Sequence, residues 1–250
     1  MHFLDDTVSD GVREQLFSLG DIPGVLWTPA DERPRALILM GHGGGQHKKA
    51  PAMVERARRF VLDGGWAVVV ADAPGHGDRP TDETFDRLAT ELQARVGAGE
   101  EFAPLMAGFH EVVAGRTVGE WRAVLDAVQR LDGVGAGPVG YFGVSLGCGL
   151  GVPFVAAEPR VRSAVLGLGG GAANTGHATR ITAPVQFLMQ WDDERIPRAD
   201  GLALFDAFGS AEKTLHASSG RHGELPRFEL DANVAFFRRH LGGPPYISGS

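Results

Sequence analysis

The feature that most constrains this chain is the octapeptide Gly140-Tyr141-Phe142-Gly143-Val144-Ser145-Leu146-Gly147. Val139 to Phe142 reads as a short buried strand, and the residues from Leu146 onward can begin a helix. Between them Gly143 to Gly147 spells G-x-S-x-G. A serine on such a strand-to-helix turn sits on strained, crowded backbone, so the residues two before and two after it must be small. The turn lifts Oγ out of the sheet and aims the first N–H groups of the helix at the same space. Glycine is abundant, 36 of 250 residues, so the spacing alone is equally a Gly-rich turn that packs a helix on a strand. Chemistry requires a base, an acid and a second oxyanion donor elsewhere in the chain.

The rest of the chain predicts where such groups can stand. Val12 to Leu19 and Gly24 to Thr28, separated by the turn residues Asp21-Ile22-Pro23, predict a leading antiparallel hairpin. Ala36 to Met40 and Trp66 to Val70 are continuous apolar runs, the signature of strands buried on both faces. Between them Met53, Ala57, Phe60 and Val61 recur at helical spacing, and Asp63-Gly64-Gly65 stops the helix. Further strands are expected at 163–168, 185–190 and 214–217, and helices at 118–131, 146–157, 197–208 and 227–241. This alternation implies a parallel sheet with right-handed crossovers. Thr81 to Gly115 is helical in composition and longer than a crossover needs, so it predicts a helical insertion, a candidate lid. The class is α/β, with a mostly parallel central sheet and helices on both faces. One domain is expected over 1–241, followed by a loose tail at 242–250.

Composition excludes several functions. With 24 Lys and Arg against 31 Asp and Glu, the net charge of −7 gives a nucleic-acid partner no electrostatic support. The single cysteine, Cys148, allows no internal disulfide and is too little for a cysteine-based metal site. His42, His47 and His76 lack ligand spacing with a carboxylate, and Gly43 to Lys48 has no G-K-[ST], so neither a metal nor a nucleotide phosphate is expected. The first residues show no basic region followed by an apolar run, and no apolar run reaches the roughly 18 residues of a membrane span. A cytoplasmic protein without a membrane partner is expected, as a monomer or homodimer.

In an open parallel sheet the loops after the strands share one edge. A serine hydroxyl needs a base in hydrogen-bond reach and an acid to orient it. His222, in Gly220-Arg221-His222-Gly223 after the last strand, is the best-placed base. The preceding strand ends at Trp191-Asp192-Asp193-Glu194-Arg195-Ile196-Pro197. Asp193 is preferred as the acid, because Asp193-x-x-Ile196-Pro197 resembles the D-x-x-V-P pattern common after this strand, in which the apolar residue packs under the loop and proline opens the next helix. Asp192 is the alternative, Glu194 is read as solvated, and a charged surface loop is the bland reading of all three. His42-Gly43-Gly44-Gly45 follows the first central strand. Its glycines allow close backbone approach, so Gly43 or Gly44 is expected to join the N–H of Leu146 in an oxyanion hole. His42 and His76 are read as shaping their loops, and Cys148 as packing. Phe102, Met106, Phe109 and Val112 are candidates both for an acyl pocket and for the inner face of the insertion.

The chain order Ser145, Asp193, His222 is that of α/β-hydrolases. With the H-G-G-G, D-A-P-G-H-G, G-V-S-L-G, D-E-R-I-P and G-R-H-G loops, the chain resembles that superfamily from Ala36 to Leu241. It is most similar to its dienelactone hydrolase-like and small bacterial serine esterase branch, although dienelactone hydrolases proper carry cysteine at the elbow. The resemblance implies a cofactor-free, carboxylesterase-like serine hydrolase acting on a small-molecule ester. Thioesterase, amidase or peptidase and acyltransferase activities fit the same fold. A non-catalytic ligand-binding protein is the reading from another class, and the complete set of serine, histidine and aspartate argues against it.

Overall fold

The computed structural model describes residues 1–171 and 173–242, with side chains throughout save at 102–104, 106, 107, 110 and 111. Phe102 and Met106 as pocket candidates, and the tail at 243–250, therefore lie outside what is described.

Continuous apolar runs become central strands because both faces of the sheet are covered. Strands β1 (His2–Ser9), β2 (Val12–Leu19), β3 (Ile22–Pro29), β4 (Leu37–Gly41), β5 (Ala67–Ala71), β6 (Val139–Val144), β7 (Val161–Gly167), β8 (Val185–Gln190) and β9 (Lys213–Ser218) form one sheet. Their order is β1-β2-β3-β5-β4-β6-β7-β8-β9. The β1–β2, β2–β3 and β3–β5 pairs are antiparallel, and the other five are parallel. The period of two separates the core into two layers. Leu37 and Leu39 pack with Trp121, Tyr141, Leu150 and Phe154, whereas Ile38 and Met40 pack with Met53, Phe60, Phe142 and Phe237. Helices α1 (Pro51–Gly64) and α7 (Phe228–Leu241) supply the second layer. Helices α3 (Phe102–Gln129), α4 (Leu146–Ala157) and α6 (Arg198–Ala207) supply the first. The α/β class, with a mostly parallel sheet and helices on both faces, is the one the sequence predicts.

Three details differ from the sequence reading. The leading unit has a third strand, β1, which is exposed along almost all its length and bulges between Phe3 and Asp5. Residues 175–178 form a short helix, α5, inside what reads as a loop. The region 81–115 resolves into α2 (Glu83–Gly97) and the first half of α3, which runs unbroken through Gly108 and Gly115 to Gln129. Pro104 lies in the first turn of α3, where a missing N–H costs nothing. Asp82 caps α2 by accepting from the N–H groups of Thr84 and Phe85, and Arg116 on α3 pairs with both Asp82 and Glu120. No helix among the described residues is long and apolar enough to cross a membrane.

Candidate active site

The elbow is built by close backbone contact. Ser145 has φ 56° and ψ −119°, a conformation in which a non-glycine residue is strained. Its N–H is held by Gly167 O at 2.9 Å, on the neighbouring strand β7. A Cβ on Gly143 would stand 2.3 Å from Gly147 O, and one on Gly147 would stand 2.3 Å from Gly41 O. Both positions must therefore be glycine for α4 to start this close to β4 and β6. The buried Tyr141 hydroxyl donates to Gly147 O at 2.7 Å and fixes the same turn. Helix α4 then runs through the core, buried from Leu146 to Val155. Its first N–H groups, that of Leu146 among them, have no acceptor within the helix.

The structure brings Ser145, His222 and Asp193 together from β6, the loop after β9 and the loop after β8. His222 Nε2 is 2.8 Å from Ser145 Oγ, and His222 Nδ1 is 2.8 Å from Asp193 Oδ2. Both side chains are buried. Asp193 Oδ1 accepts from the N–H groups of Arg195 and Ile196 at 2.8 and 2.9 Å. Burial alone would raise the Asp193 carboxyl, but hydrogen bonds from His222, Ile196 and Arg195 outweigh it and hold the group below the usual carboxylate range. An ionised Asp193 fixes the imidazole with its proton on Nδ1, leaving Nε2 to accept from the serine hydroxyl. Asp192 contributes its N–H to Gly220 O at 3.2 Å, and Trp191 N–H donates to Ser218 O at 2.7 Å, so the acid and base loops are stitched together.

Glu194, read from the sequence as solvated, is exposed and also makes one contact the sequence does not show. Its Oε2 accepts from the His222 N–H at 3.0 Å, which holds its carboxyl below the ordinary range. Nothing in its sequence context marks this, since the partner lies 28 residues away.

The glycine loop after β4 is held by side chains. His42 donates from Nδ1 to Gly43 O at 2.9 Å and accepts the Ala73 N–H on Nε2 at 3.0 Å. Burial pushes its pKa down to about 4, so the ring is neutral. Gln46 Oε1 accepts the Gly43 N–H at 3.3 Å. A peptide plane is trans, so turning Gly43 O toward His42 turns the Gly44 N–H the opposite way. Lys48 anchors the end of the loop: its Nζ lies 2.6 Å from both Asp72 and Asp78, and its N–H donates to Asp72 at 2.7 Å. The D-A-P-G-H-G loop is thereby tied to the glycine loop.

Ser145 and His222 line a cavity of about 430 Å³. Phe85, Ala89 and Leu92 of α2 and Phe109 of α3 form its apolar wall, and His76 and Asn174 add polar atoms. His76 Nδ1 lies 2.9 Å from Pro74 O and its ring packs against Phe85, so it does shape its loop. Val112, by contrast, is 60% exposed, and its neighbour Val113 is buried. The helical phase places Val112 one residue off the inner face. Cys148 is fully buried, and burial pushes its thiol up to about 12. It is a packing residue. No cluster of His, Cys, Asp and Glu that could hold a metal occurs among the described residues.

No protein-family model matches the sequence. No curated protein matches it either. Among solved structures, a cold-adapted esterase from an Arctic intertidal metagenomic library is 31% identical, covers 96% of this chain and all of its own, and superposes with a TM-score of 0.80. An acetyl xylan esterase from a Paenibacillus species is 16% identical, with 96% of this chain and 88% of that one covered and a TM-score of 0.69. An esterase domain from Rhodothermus marinus is 14% identical, with coverages of 92% and 99% and a TM-score of 0.63. The last two share the fold alone. The first, matched over essentially its whole length at this identity, is a relative, and with it the chain belongs to the α/β-hydrolase esterases.

Proposed function

We propose that this protein hydrolyses small carboxylic esters through an acyl-enzyme on Ser145. The observation that carries the reading is the unbroken run of 2.8 Å contacts from Ser145 Oγ through His222 to Asp193 Oδ2. Ser145 Oγ attacks the ester carbonyl while His222 Nε2 takes its proton. Asp193 holds the imidazole in the required tautomer and balances the charge it gains. The tetrahedral oxyanion is taken by the N–H of Leu146 and that of Gly44. Gly44 is favoured over Gly43, whose N–H is already given to Gln46. His222 then protonates the departing alcohol, and the same nitrogen activates a water that frees the acid.

The wall from Phe85, Leu92 and Phe109 supports a role for 81–115 as a cap within one domain, over an apolar arm of moderate length. The loops quoted above support the narrower placement beside the dienelactone hydrolase-like branch. No feature of the site favours a thioester or an amide over an ester, so ester hydrolysis, the activity its relative's name carries, is retained.

Release of p-nitrophenol from acetate, butyrate and octanoate esters tests this. Ser145→Ala is expected to lose at least about 10³-fold in kcat with its melting temperature kept. A wild-type enzyme that takes no fluorophosphonate label and turns over none of the three esters would overturn the reading.

A further inference from the structure

A second cavity, about 450 Å³, opens on the other side of Ser145 and His222. Its character differs from the apolar arm. It is walled by α1 and by the approach to α7, and three arginines line it with two glutamates: Arg56, Arg195, Arg227, Glu55 and Glu194. Most of these charges are engaged. Arg227 pairs with Glu55 at 2.9 Å. Glu194 accepts the His222 N–H and has Arg221 and Arg195 at 3.5 and 4.0 Å.

Arg56 is different. Among the described residues no carboxylate lies within 4.0 Å of its guanidinium. Its hydrogen bond is to a neutral group, from Nη1 to Asn233 Oδ1 at 2.7 Å, and Asn233 is itself fully buried. The guanidinium carbon sits 4.2 Å above the Phe142 ring, which stiffens it further. A guanidinium offers five N–H donors in a fixed fork that matches a carboxylate. Here the fork is held in place on a wall shared with the nucleophile, where Glu55 and Glu229 favour its charge through space but neither forms a direct ion pair with it. Burial lowers its pKa to about 10, so it stays cationic at neutral pH. A partly buried guanidinium whose only hydrogen-bond partner is neutral loses hydration without gaining a direct ion pair, and an anionic ligand group makes good that loss.

We infer that the second cavity is an anion subsite in which Arg56 receives a carboxylate, so that the preferred substrates are esters carrying a free carboxylate on one arm and an apolar group on the other. This deepens the ester-hydrolysis reading and rests on it. The carboxylate can stand on the acyl side, as in a half-ester of a dicarboxylic acid, or on the alcohol side, as in an ester of a hydroxy acid.

Two isosteric pairs separate these sources. For the acyl side, monomethyl adipate is compared with the methyl ester of adipic acid monoamide. For the alcohol side, O-butyryl glycolate is compared with O-butyryl glycolamide. In the wild type, kcat/KM for the carboxylate member of at least one pair is expected to exceed that of its amide by about tenfold or more. The pair that shows the preference identifies the arm. Arg56→Gln should bring that ratio to about one or below, mainly through KM, and Arg56→Lys should leave an intermediate ratio. Inhibition of the wild-type enzyme by free adipate, about tenfold stronger than by adipamide, tests the acyl-side assignment without any variant. Amides preferred or equal in both pairs, or a wild-type ratio that survives in Arg56→Gln, would overturn the subsite. If p-nitrophenyl butyrate is still cleaved in a Ser145-dependent way, only the anion subsite falls. If it is not, the esterase reading falls with it.

Discussion

The two loops that converge on the reacting carbonyl are held in different ways. The elbow around Ser145 is fixed by backbone on backbone: Gly147 against Gly41, Gly143 against Gly147, and the Ser145 N–H on Gly167 O. The glycine loop at 42–48 is fixed by side chains, with His42 bridging to Ala73, Gln46 closing on Gly43, and Lys48 pinned between Asp72 and Asp78. The first arrangement tolerates no added atom but asks nothing of side-chain chemistry. The second has room for substitution but depends on particular donors and acceptors. A strained serine at φ 56° needs surroundings that cannot relax, and only close-packed main chain supplies them. A loop that must present a single N–H needs orientation more than rigidity, and hydrogen bonds supply orientation.

The largest expected effect comes from breaking the first kind of contact. In Gly147→Ala the new methyl would stand 2.3 Å from Gly41 O, an atom that can move only with β4 itself. The variant is expected to lose more than about 3 kcal/mol of stability, toward the upper end of overpacking costs. Urea unfolding followed by tryptophan fluorescence measures it. A variant within about 1 kcal/mol of wild type would mean that α4 can shift, and that the elbow is not locked by its backbone.

This contrast also explains what could be read from the sequence. Features that rest on local backbone rules were legible. The G-V-S-L-G spacing, the apolar runs of the central strands and the loop positions of His222 and Asp193 follow from strand order and residue type, and the structure brings those residues to one edge. Features that rest on distant pairing were not. Arg56 reads as one of several charges on an amphipathic helix together with Arg58 and Arg59, and only the fold sets it against Asn233, 177 residues on. Glu194 reads as one of three acidic neighbours until the His222 backbone reaches it. Strand β1 was missed because His2 to Ser9 is exposed on an edge and carries little apolar alternation. The continuity of α3 was hidden by Pro104, which reads as a break but lies in the first turn, and by Gly115, which weakens a helix without ending it.

A smaller effect is expected from the side-chain-held loop, and it has a pH signature the elbow lacks. His42→Phe keeps ring volume but leaves Gly43 O and the Ala73 N–H without their partners. The Gly44 N–H then loses its aim, and kcat is expected to fall by about 10² with little change in KM, the scale of one lost oxyanion donor. Stability at pH 7 should fall by about 2 kcal/mol for the two unpaired groups. The histidine is neutral when folded, with its pKa at about 4, against an ordinary value of 6.5. Between these values the unfolded chain binds the extra proton, so the wild type loses stability as pH falls from 6.5 toward 4. The phenylalanine variant has no such loss at this position. The gap between the two should therefore narrow on acidification, and a gap that stays constant between pH 7 and pH 5 would contradict a buried, neutral His42.

The smallest expected effect lies between the two modes, at Glu194. Its carboxylate is a side chain acting on a backbone group, but it is exposed, and its hydrogen bond to the His222 N–H competes with water. Glu194→Gln keeps an acceptor oxygen and removes the charge that stands near the imidazole through both steps of the reaction. The loss in kcat should be about threefold, in keeping with exposed charges, with KM for a neutral ester unchanged. Its value is in the comparison with Glu194→Ala, which removes the acceptor as well. If the loop after β9 is held by backbone contacts such as Trp191 to Ser218, the alanine variant should resemble the glutamine one. If the Glu194 oxygen positions His222, alanine should be several-fold worse than glutamine, and the base loop belongs with the glycine loop among the parts of this site that side chains hold in place.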